Sequence, residues 1–286
     1  MSFLKKCYHW TIAYKTLGEK EFHIIPNPEW GWCADPFLVE YKSEIYLFAE
    51  IFLYKSERKG VIAYCKYTGD GFGDWQVTMD EHWHLSYPNV FVKDGELYMC
   101  PESYKNKTVS LYKLRELPDK WERVEILIDN VKYADTTFLT YNNESYMFTF
   151  APKFKNAEGT LLLYKKQDGS YKQVAELSSD KTLNRPGGNF FERDGKLIRV
   201  AQNSEHTYGE GLVFLEVDSV LPNYKEHVVK RIYPNDLPIA NAKKYCGIHT
   251  YNCYCGIEVI DLKYSVVSIK EAFARRRVRK VFVDKF

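Results

Sequence analysis

The chain has no apolar run approaching the ~20 residues that a membrane-spanning helix needs, and no apolar stretch near Met1 followed by a small-residue cleavage site. These two absences lead to the expectation of a cytoplasmic protein. Charge of one sign is lacking too: 40 Lys and Arg against 38 Asp and Glu leave +2, too little to predict nucleic acid as a partner. The seven cysteines, at 7, 33, 65, 100, 246, 253 and 255, are odd in number and scattered. Several lie inside apolar runs, where a reduced thiol serves as a small hydrophobe. Cys253-Tyr254-Cys255 lacks the second cysteine pair of a zinc site, so neither a metal nor a cofactor is assigned, although an ion held in a central channel by carboxylates and His249 stays open. Gly69 to Gly73 and Gly187-Gly188 lack the helix that a phosphate-cradling loop leads into. No Ser-His-Asp constellation is readable. His82 and His84 flank Trp83 at a spacing that puts both on one face of a strand, where exposed histidines are a plainer reading than a metal pair.

Aromatic residues are abundant, at 16% with 23 Tyr and 6 Trp. Such side chains fit a pleated, half-buried surface and also stack on sugars. One sentence of sequence recurs. Ala34-Asp35-Pro36-Phe37 enters an apolar strand, turns at Tyr41-Lys42-Ser43-Glu44 and returns through Tyr46-Leu47-Phe48-Ala49-Glu50. Pro36, Tyr46 and Glu50 recur as Pro88, Tyr98 and Glu102, each 52 positions on. Further copies begin near Asp135, Arg185 and Gly247, a period of about 50 residues that marks an array of supersecondary units. Outer strand pairs follow each of the first four hairpins, for example Val61-Ile62-Ala63-Tyr64 with Trp75-Gln76-Val77. The fifth hairpin has none after it, while Trp10 to Tyr14 and Glu21 to Ile25 form an outer pair with no hairpin before it. Joining them closes a ring: an all-β, five-bladed β-propeller of four-stranded blades over residues 1–264, with N-terminal strands completing the last blade. A linear solenoid or a sandwich would explain neither the constant offset nor the complementary halves. Residues 265–286 read as a basic tail, helical from Ser268, that carries Arg275-Arg276-Arg277-Val278-Arg279-Lys280. That run is either a solvated face or a peripheral contact for anionic lipid head groups or a lipid-linked substrate.

In such a ring the first strand of every blade lines the channel, and hairpin geometry puts its start beside the end of the second strand. One mouth therefore gathers Asp35, Glu50, Asn89, Glu102, Asp135, Arg185, Asn189, Gln202, Asn203, His249 and Asn252. Unsatisfied buried polar groups cost on the order of 1–3 kcal/mol each, so a polar ligand is expected there. Crowded carboxylates split their pKa values into an acid and a base, which is what glycosidic-bond chemistry uses. The amides, Arg185 and the aromatics Trp30, Trp32 and Tyr208 would hold hydroxyls and sugar faces. The plainer alternatives are strand-entry punctuation for Asp35, a turn cap for Asp135, and rim salt bridges of Glu50 and Glu102 with Lys55 or Lys105.

The strings Ala34-Asp35-Pro36-Phe37, Ser86-Tyr87-Pro88, Pro101-Glu102-Ser103, Arg185-Pro186-Gly187-Gly188, Tyr208-Gly209 and His249-Thr250-Tyr251-Asn252 resemble one known group. It is the N-terminal domain of glucosamine inositolphosphorylceramide transferases with bacterial relatives linked to surface-polysaccharide genes. That group is in turn similar to the five-bladed propellers of glycoside hydrolase family 43. The resemblance runs from Trp10 to about Asp261. It implies Asp35 as the base or nucleophile-side carboxylate and Asp135 as the orienting one. The acid Glu of the hydrolases has no matching motif here; Glu102 is the choice, with Glu50 behind it. The expected function is action at a glycosidic bond, glycosyl transfer in surface polysaccharide or glycolipid assembly, on a carbohydrate that is activated or lipid-linked, with Arg185 and His249 neutralising donor phosphate or binding sugar hydroxyls. An intracellular glycoside hydrolase and a non-catalytic glycan-binding propeller are the alternatives.

Overall fold

The repeat folds as its apolar runs dictate. The second strand of each unit is covered on both sides, so its hydrophobic residues come in continuous rather than alternating runs: Leu47, Phe48, Ala49, Glu50 and Ile51 are all buried. The structure is a computed structural model that describes residues 6–54, 59–153 and 158–267. It is a five-bladed β-propeller of antiparallel sheets.

Strands β1 (Lys6–Thr16) and β2 (His23–Ile25) come first in the chain but form the outer half of the last blade. Blade 1 comprises β3 (Gly31–Tyr41), β4 (Glu44–Leu53), β5 (Gly60–Lys66) and β6 (Gln76–Met79). Blade 2 comprises β7 (Ser86–Lys93), β8 (Glu96–Glu102), β9 (Thr108–Glu116) and β10 (Lys120–Asp129); blade 3, β11 (Ala134–Tyr141), β12 (Glu144–Pro152), β13 (Gly159–Gln167) and β14 (Ser170–Ser178). The inner strand of blade 4 is broken into β15 (Arg185–Pro186) and β16 (Phe191–Arg193), followed by β17 (Lys196–Asn203), β18 (Gly211–Ser219) and β19 (Lys225–Ile232). Blade 5 has a similarly broken inner strand, β20 (Tyr245–Gly247) and β21 (Tyr251–Tyr254), and then β22 (Ile257–Val267). Strand β1 pairs with β22 from Lys6↔Val267 to Thr16↔Ile257, which closes the ring as the complementary halves require.

An apolar cluster fills each seam between blades. Phe37, Phe48 and Ile62 of blade 1 meet Tyr87, Leu97 and Met99 of blade 2, and at the closing seam Ile12 and Val259 meet Leu47, Ala49 and Ile51. Among the described residues no helix is long and apolar enough to cross a membrane.

Two local expectations change. His82 and His84 are not on a strand; they lie in the connection between β6 and β7, His82 exposed and His84 half-buried. Strand β22 continues through Val267, past the boundary drawn after Tyr264. The tail from Ser268, with its expected helix and basic run, lies outside the described residues.

Ile12 is fully buried at the closing seam. Ile12→Ala should cost about 2–5 kcal/mol in urea denaturation, the range of interior truncations; a loss under about 0.5 kcal/mol would show that β1 is an appendage rather than part of the ring.

Candidate active site at the channel mouth

Three inner strands enter the channel through a β-bulge. Register slips between Ala34 and Phe37, between Ser86 and Asn89, and between Ala134 and Thr137. In each bulge one non-glycine residue takes a left-handed φ: Asp35 at 53°, Tyr87 at 44° and Asp135 at 52°. That conformation costs on the order of 1–3 kcal/mol per residue and persists where surrounding structure enforces it. A bulge re-aims a side chain, here two carboxyls and a phenol toward the axis. Tyr87 is fully buried; its hydroxyl accepts the Gly188 N–H at 2.8 Å and bonds Thr137 Oγ1 at 2.8 Å, so its ring spans the channel and forms a floor. Gly188 is required at this crossing, because a Cβ there would lie 1.9 Å from the Tyr251 carbonyl oxygen.

The second strands supply the wall. Glu50 pairs in register with Ala34, Glu102 with Ser86 and Gln202 with Arg185, while the Asp261 N–H donates to the Thr250 carbonyl in blade 5. These four positions are equivalent. Blade 3 has Phe150 there, opposite Ala134.

Asp261 is fully buried. Its Oδ1 accepts the N–H groups of His249 and Thr250, both at 2.9 Å, and its Oδ2 accepts the Asp35 N–H at 3.1 Å and meets His249 Nδ1 at 2.5 Å. Burial works against ionisation of both partners, but each stabilises the other's charge: Asp261 is held below the usual carboxylate range and His249 above the usual imidazole range. The imidazole stacks on Trp10 with ring centres 3.9 Å apart, and its Nε2 lies 3.8 Å from Asp35 Oδ1. Asp35 accepts from Thr250 Oγ1 at 3.0 Å and the Tyr87 N–H at 3.1 Å. Burial pushes its pKa up to about 6; His249 opposes that rise, while Asp135 and Asp261 add to it.

On the other side of the mouth Asp135 accepts from Arg185 Nε and from Gln202 Nε2. The guanidinium lies between the rings of Phe150 and Tyr208, at 5.4 and 5.1 Å, and 3.9 Å from Glu102 Oε2. Burial and then the Asp135 charge push Glu102 well above the carboxylate range, with Arg185 opposing. Glu50 is raised in the same direction by burial, then by Asp35 and Glu102. Its neighbour is His84, whose Nε2 lies 3.5 Å from Glu50 Oε1 and whose Nδ1 accepts the Gly60 N–H. Burial, with Lys105 adding to it, lowers His84 to about 4, so its ring is neutral with the proton on Nε2.

The structure thus brings together Asp35, Glu50, Glu102, Asp135, Arg185, Gln202, Tyr208 and His249. Four other expected members serve elsewhere. Asn89 donates to Asn189 Oδ1, the Asn189 N–H donates to Asn252 Oδ1, and Asn252 donates to the Pro36 carbonyl. Asn89 stands two residues beyond Tyr87 and Asn189 next to Gly188, so this amide chain ties the inner strands of blades 1, 2, 4 and 5 together beside the Tyr87 ring. Asn203 donates to the Tyr233 hydroxyl and accepts the Glu205 N–H, fixing a loop. Glu50 and Glu102 lie at the mouth, beside His84 and Arg185 respectively; Lys55 lies outside the described residues. Trp32 stacks on Phe52 at 4.9 Å and Trp30 packs against the closing seam, both half-buried. Asp261, Tyr87, Thr250 and His84 were missed. The offset of 52 that carries Pro36 to Pro88 also carries Asp35 to Tyr87, and following the second strand of the fifth unit one residue past Ile260 reaches Asp261.

Asp35 gives the site a pH signature. Unfolded, it loses its proton near 3.8; folded, near 6. Between those values the folded state binds the extra proton, so this group's contribution to stability falls as pH rises from about 4 to 6. Asp35→Asn removes the titration, and its stability relative to the native protein should climb by up to about 3 kcal/mol between pH 4 and pH 7. Urea denaturation at both pH values checks this; a difference independent of pH would refute the assignment.

The family described as "Glucosamine inositolphosphorylceramide transferase 1, N-terminal" matches residues 9–251. Glucosamine inositolphosphorylceramide transferase 1 of Oryza sativa subsp. indica is 32% identical over 228 residues, which cover 75% of this chain and 29% of that protein. The Arabidopsis thaliana protein of the same name is 29% identical over 194 residues, 63% of this chain and 25% of that one. The chain therefore spans less than a third of the length of the curated relatives it matches. Among solved structures, a thermostable family-43 glycoside hydrolase aligns with a TM-score of 0.60 at 12% identity, over 82% of this chain and 88% of that one. The catalytic domain of Coprinopsis cinerea GH62 alpha-L-arabinofuranosidase aligns at 0.59 and 9% identity, over 90% and 99%. At such identities these two show a shared fold and nothing finer. The match over residues 9–251 and the rice identity go further: this chain belongs to the family of the N-terminal domain of glucosamine inositolphosphorylceramide transferase 1.

Proposed function

We propose that the channel mouth binds a sugar ring and acts at its glycosidic bond, in glycosyl transfer during glycan or glycolipid assembly. The observation that carries this reading is the gathering of Asp35, Glu50, Glu102 and Asp135 at one buried mouth; burial pushes Asp35 up to about 6 and Glu50 and Glu102 well above the usual carboxylate range. An acid and a base side by side at neutral pH are what cleavage or formation of a glycosidic bond requires. In this reading Asp35 is the base or nucleophile-side carboxylate and Glu102 gives its proton to the leaving oxygen. Asp135, clamped by Arg185 and Gln202, orients and tunes Glu102. Tyr208, 44% exposed over the Arg185 guanidinium, offers its ring to a sugar face. Transfer is preferred to hydrolysis because the relatives are named transferases. A lipid-linked acceptor and contact of the basic tail with anionic lipid on the cytoplasmic side belong to the same reading. The second reading is a glycan-binding module without catalysis. It is favoured by the chain's matching only 29% of the rice relative, a share that leaves room for the named chemistry elsewhere in such proteins.

The test combines aryl-glycoside hydrolysis, donor-plus-acceptor transfer, and sugar-dependent thermal midpoints, which rise when a ligand binds only the folded state. Asp35→Asn and Glu102→Gln should each cut turnover by about 100-fold or more while the sugar-induced midpoint rise remains. Sugar binding by the native protein with no product in either assay would establish the module; unchanged turnover in both variants would sink the assignment of roles.

A further inference from the structure

The mouth's unmet hydrogen-bonding needs describe its ligand. Three of its buried side-chain oxygens have no hydrogen-bond partner among the described residues, Glu50 Oε1, Glu102 Oε2 and Gln202 Oε1; the first two have long contacts, from His84 Nε2 at 3.5 Å and from the Arg185 guanidinium at 3.9 Å, and Glu50 and Gln202 are more than nine-tenths buried. All three can accept hydrogen bonds from a ligand. Gln202 has spent its donor group on Asp135 and the Pro186 carbonyl. The cations at the mouth among the described residues are also engaged. Arg185 is held by Asp135 between two rings, His249 by Asp261, and Lys263 by the Tyr208 carbonyl beneath Trp10. His84, the other basic side chain against Glu50, is neutral at pH 7. Against Arg185, His249, Lys263 and His84 as they stand, a phosphate entering here would face Asp35, Asp135 and Asp261 with each of those basic groups committed or neutral, and drawing Arg185 or His249 toward it would strand the carboxylate that each now pairs.

Resting on the carbohydrate reading above, we infer that the part of the ligand buried in the mouth is a phosphate-free polyhydroxyl ring donating to Glu50 Oε1, Glu102 Oε2 and Gln202 Oε1, and that any phosphate of the substrate stays outside. This replaces the expectation that Arg185 and His249 neutralise a donor phosphate. Ring hydroxyls fit because each donates once and needs no countercharge, and the set discriminates because an unfilled acceptor stays unpaired in a desolvated site.

The experiment is isothermal titration of the native protein with matched pairs: glucose, galactose, mannose and N-acetylglucosamine, each against its 1-phosphate and its nucleoside-diphosphate form. In every pair that binds, the neutral sugar should bind tighter by on the order of tenfold or more, since like charges placed together are strongly disfavoured. A phosphate-bearing member that binds as tightly as its neutral partner overturns the inference and leaves the carbohydrate reading standing. If no sugar of either kind binds, both fall. Glu50→Leu gives an independent check: with the buried, unbonded Oε1 gone, its midpoint without sugar should equal or exceed the native one, while neutral-sugar affinity drops by about tenfold. An affinity unchanged in a folded Glu50→Leu protein removes Glu50 from the set and overturns the three-acceptor assignment.

Discussion

One buried carboxylate makes the ring and the site inseparable. Asp261 accepts backbone N–H groups from His249 and Thr250 in its own blade and from Asp35 in blade 1, and it holds the His249 ring. The seam it bridges lies between blade 5 and blade 1, and the strand that carries it, β22, is the one that pairs with β1 to complete the last blade. A charge taken out of water is tolerated only when nearly every lone pair is used, and here it is. The same bonds that hold the seam fix the left-handed turn at Asp35 and the charged state of His249. Closure of the propeller and shaping of its mouth are one event seen at two scales.

The rest of the mouth follows from that fixed edge. Asp35 is locked by Thr250 and Tyr87, Tyr87 runs to Thr137 and Gly188, and Asp135 binds Arg185 across to blade 4. Each link joins different blades, so strain in the three bulges is opposed by contacts from neighbours rather than relaxed locally. Oxygens on Glu50, Glu102 and Gln202 remain outside this network. In a site otherwise so fully bonded, their lack of hydrogen bonds reads as function rather than as loose packing.

Most of the fold was legible in the sequence because a repeat multiplies every weak signal. Tyr46, Tyr98 and Tyr146 stand at matching hairpin positions, and the orphaned outer pair at the N-terminus announced the closure. What was not legible has two physical causes. A bulge inserts one residue, shifting which side chain faces the axis, so Asn89 was taken for the mouth where Tyr87 reaches toward it. Interaction partners are set by three-dimensional proximity: nothing in the spacing between Asp135 and Arg185 shows that they consume each other's charge, nor that Asn89, Asn189 and Asn252 satisfy one another. His84 was hidden for a related reason, since a strand was expected where the chain makes an irregular connection.

The pairing of Lys6 with Val267 also has a bearing on how the chain reaches its fold. Strand β1 leaves the ribosome before blades 1 to 4, yet its ladder partner β22 is made only after them. Until then the edge of β1 that faces β22 is unpaired and Ile12 lacks Val259, although β2 and blade 1 are already made, and loop-closure entropy makes the β22 ladder the most distant contact to establish. An unpaired early strand is an invitation to pair with another chain. The order of synthesis thus sets a hazard that the finished ring no longer shows, one confined to the interval before β22 emerges.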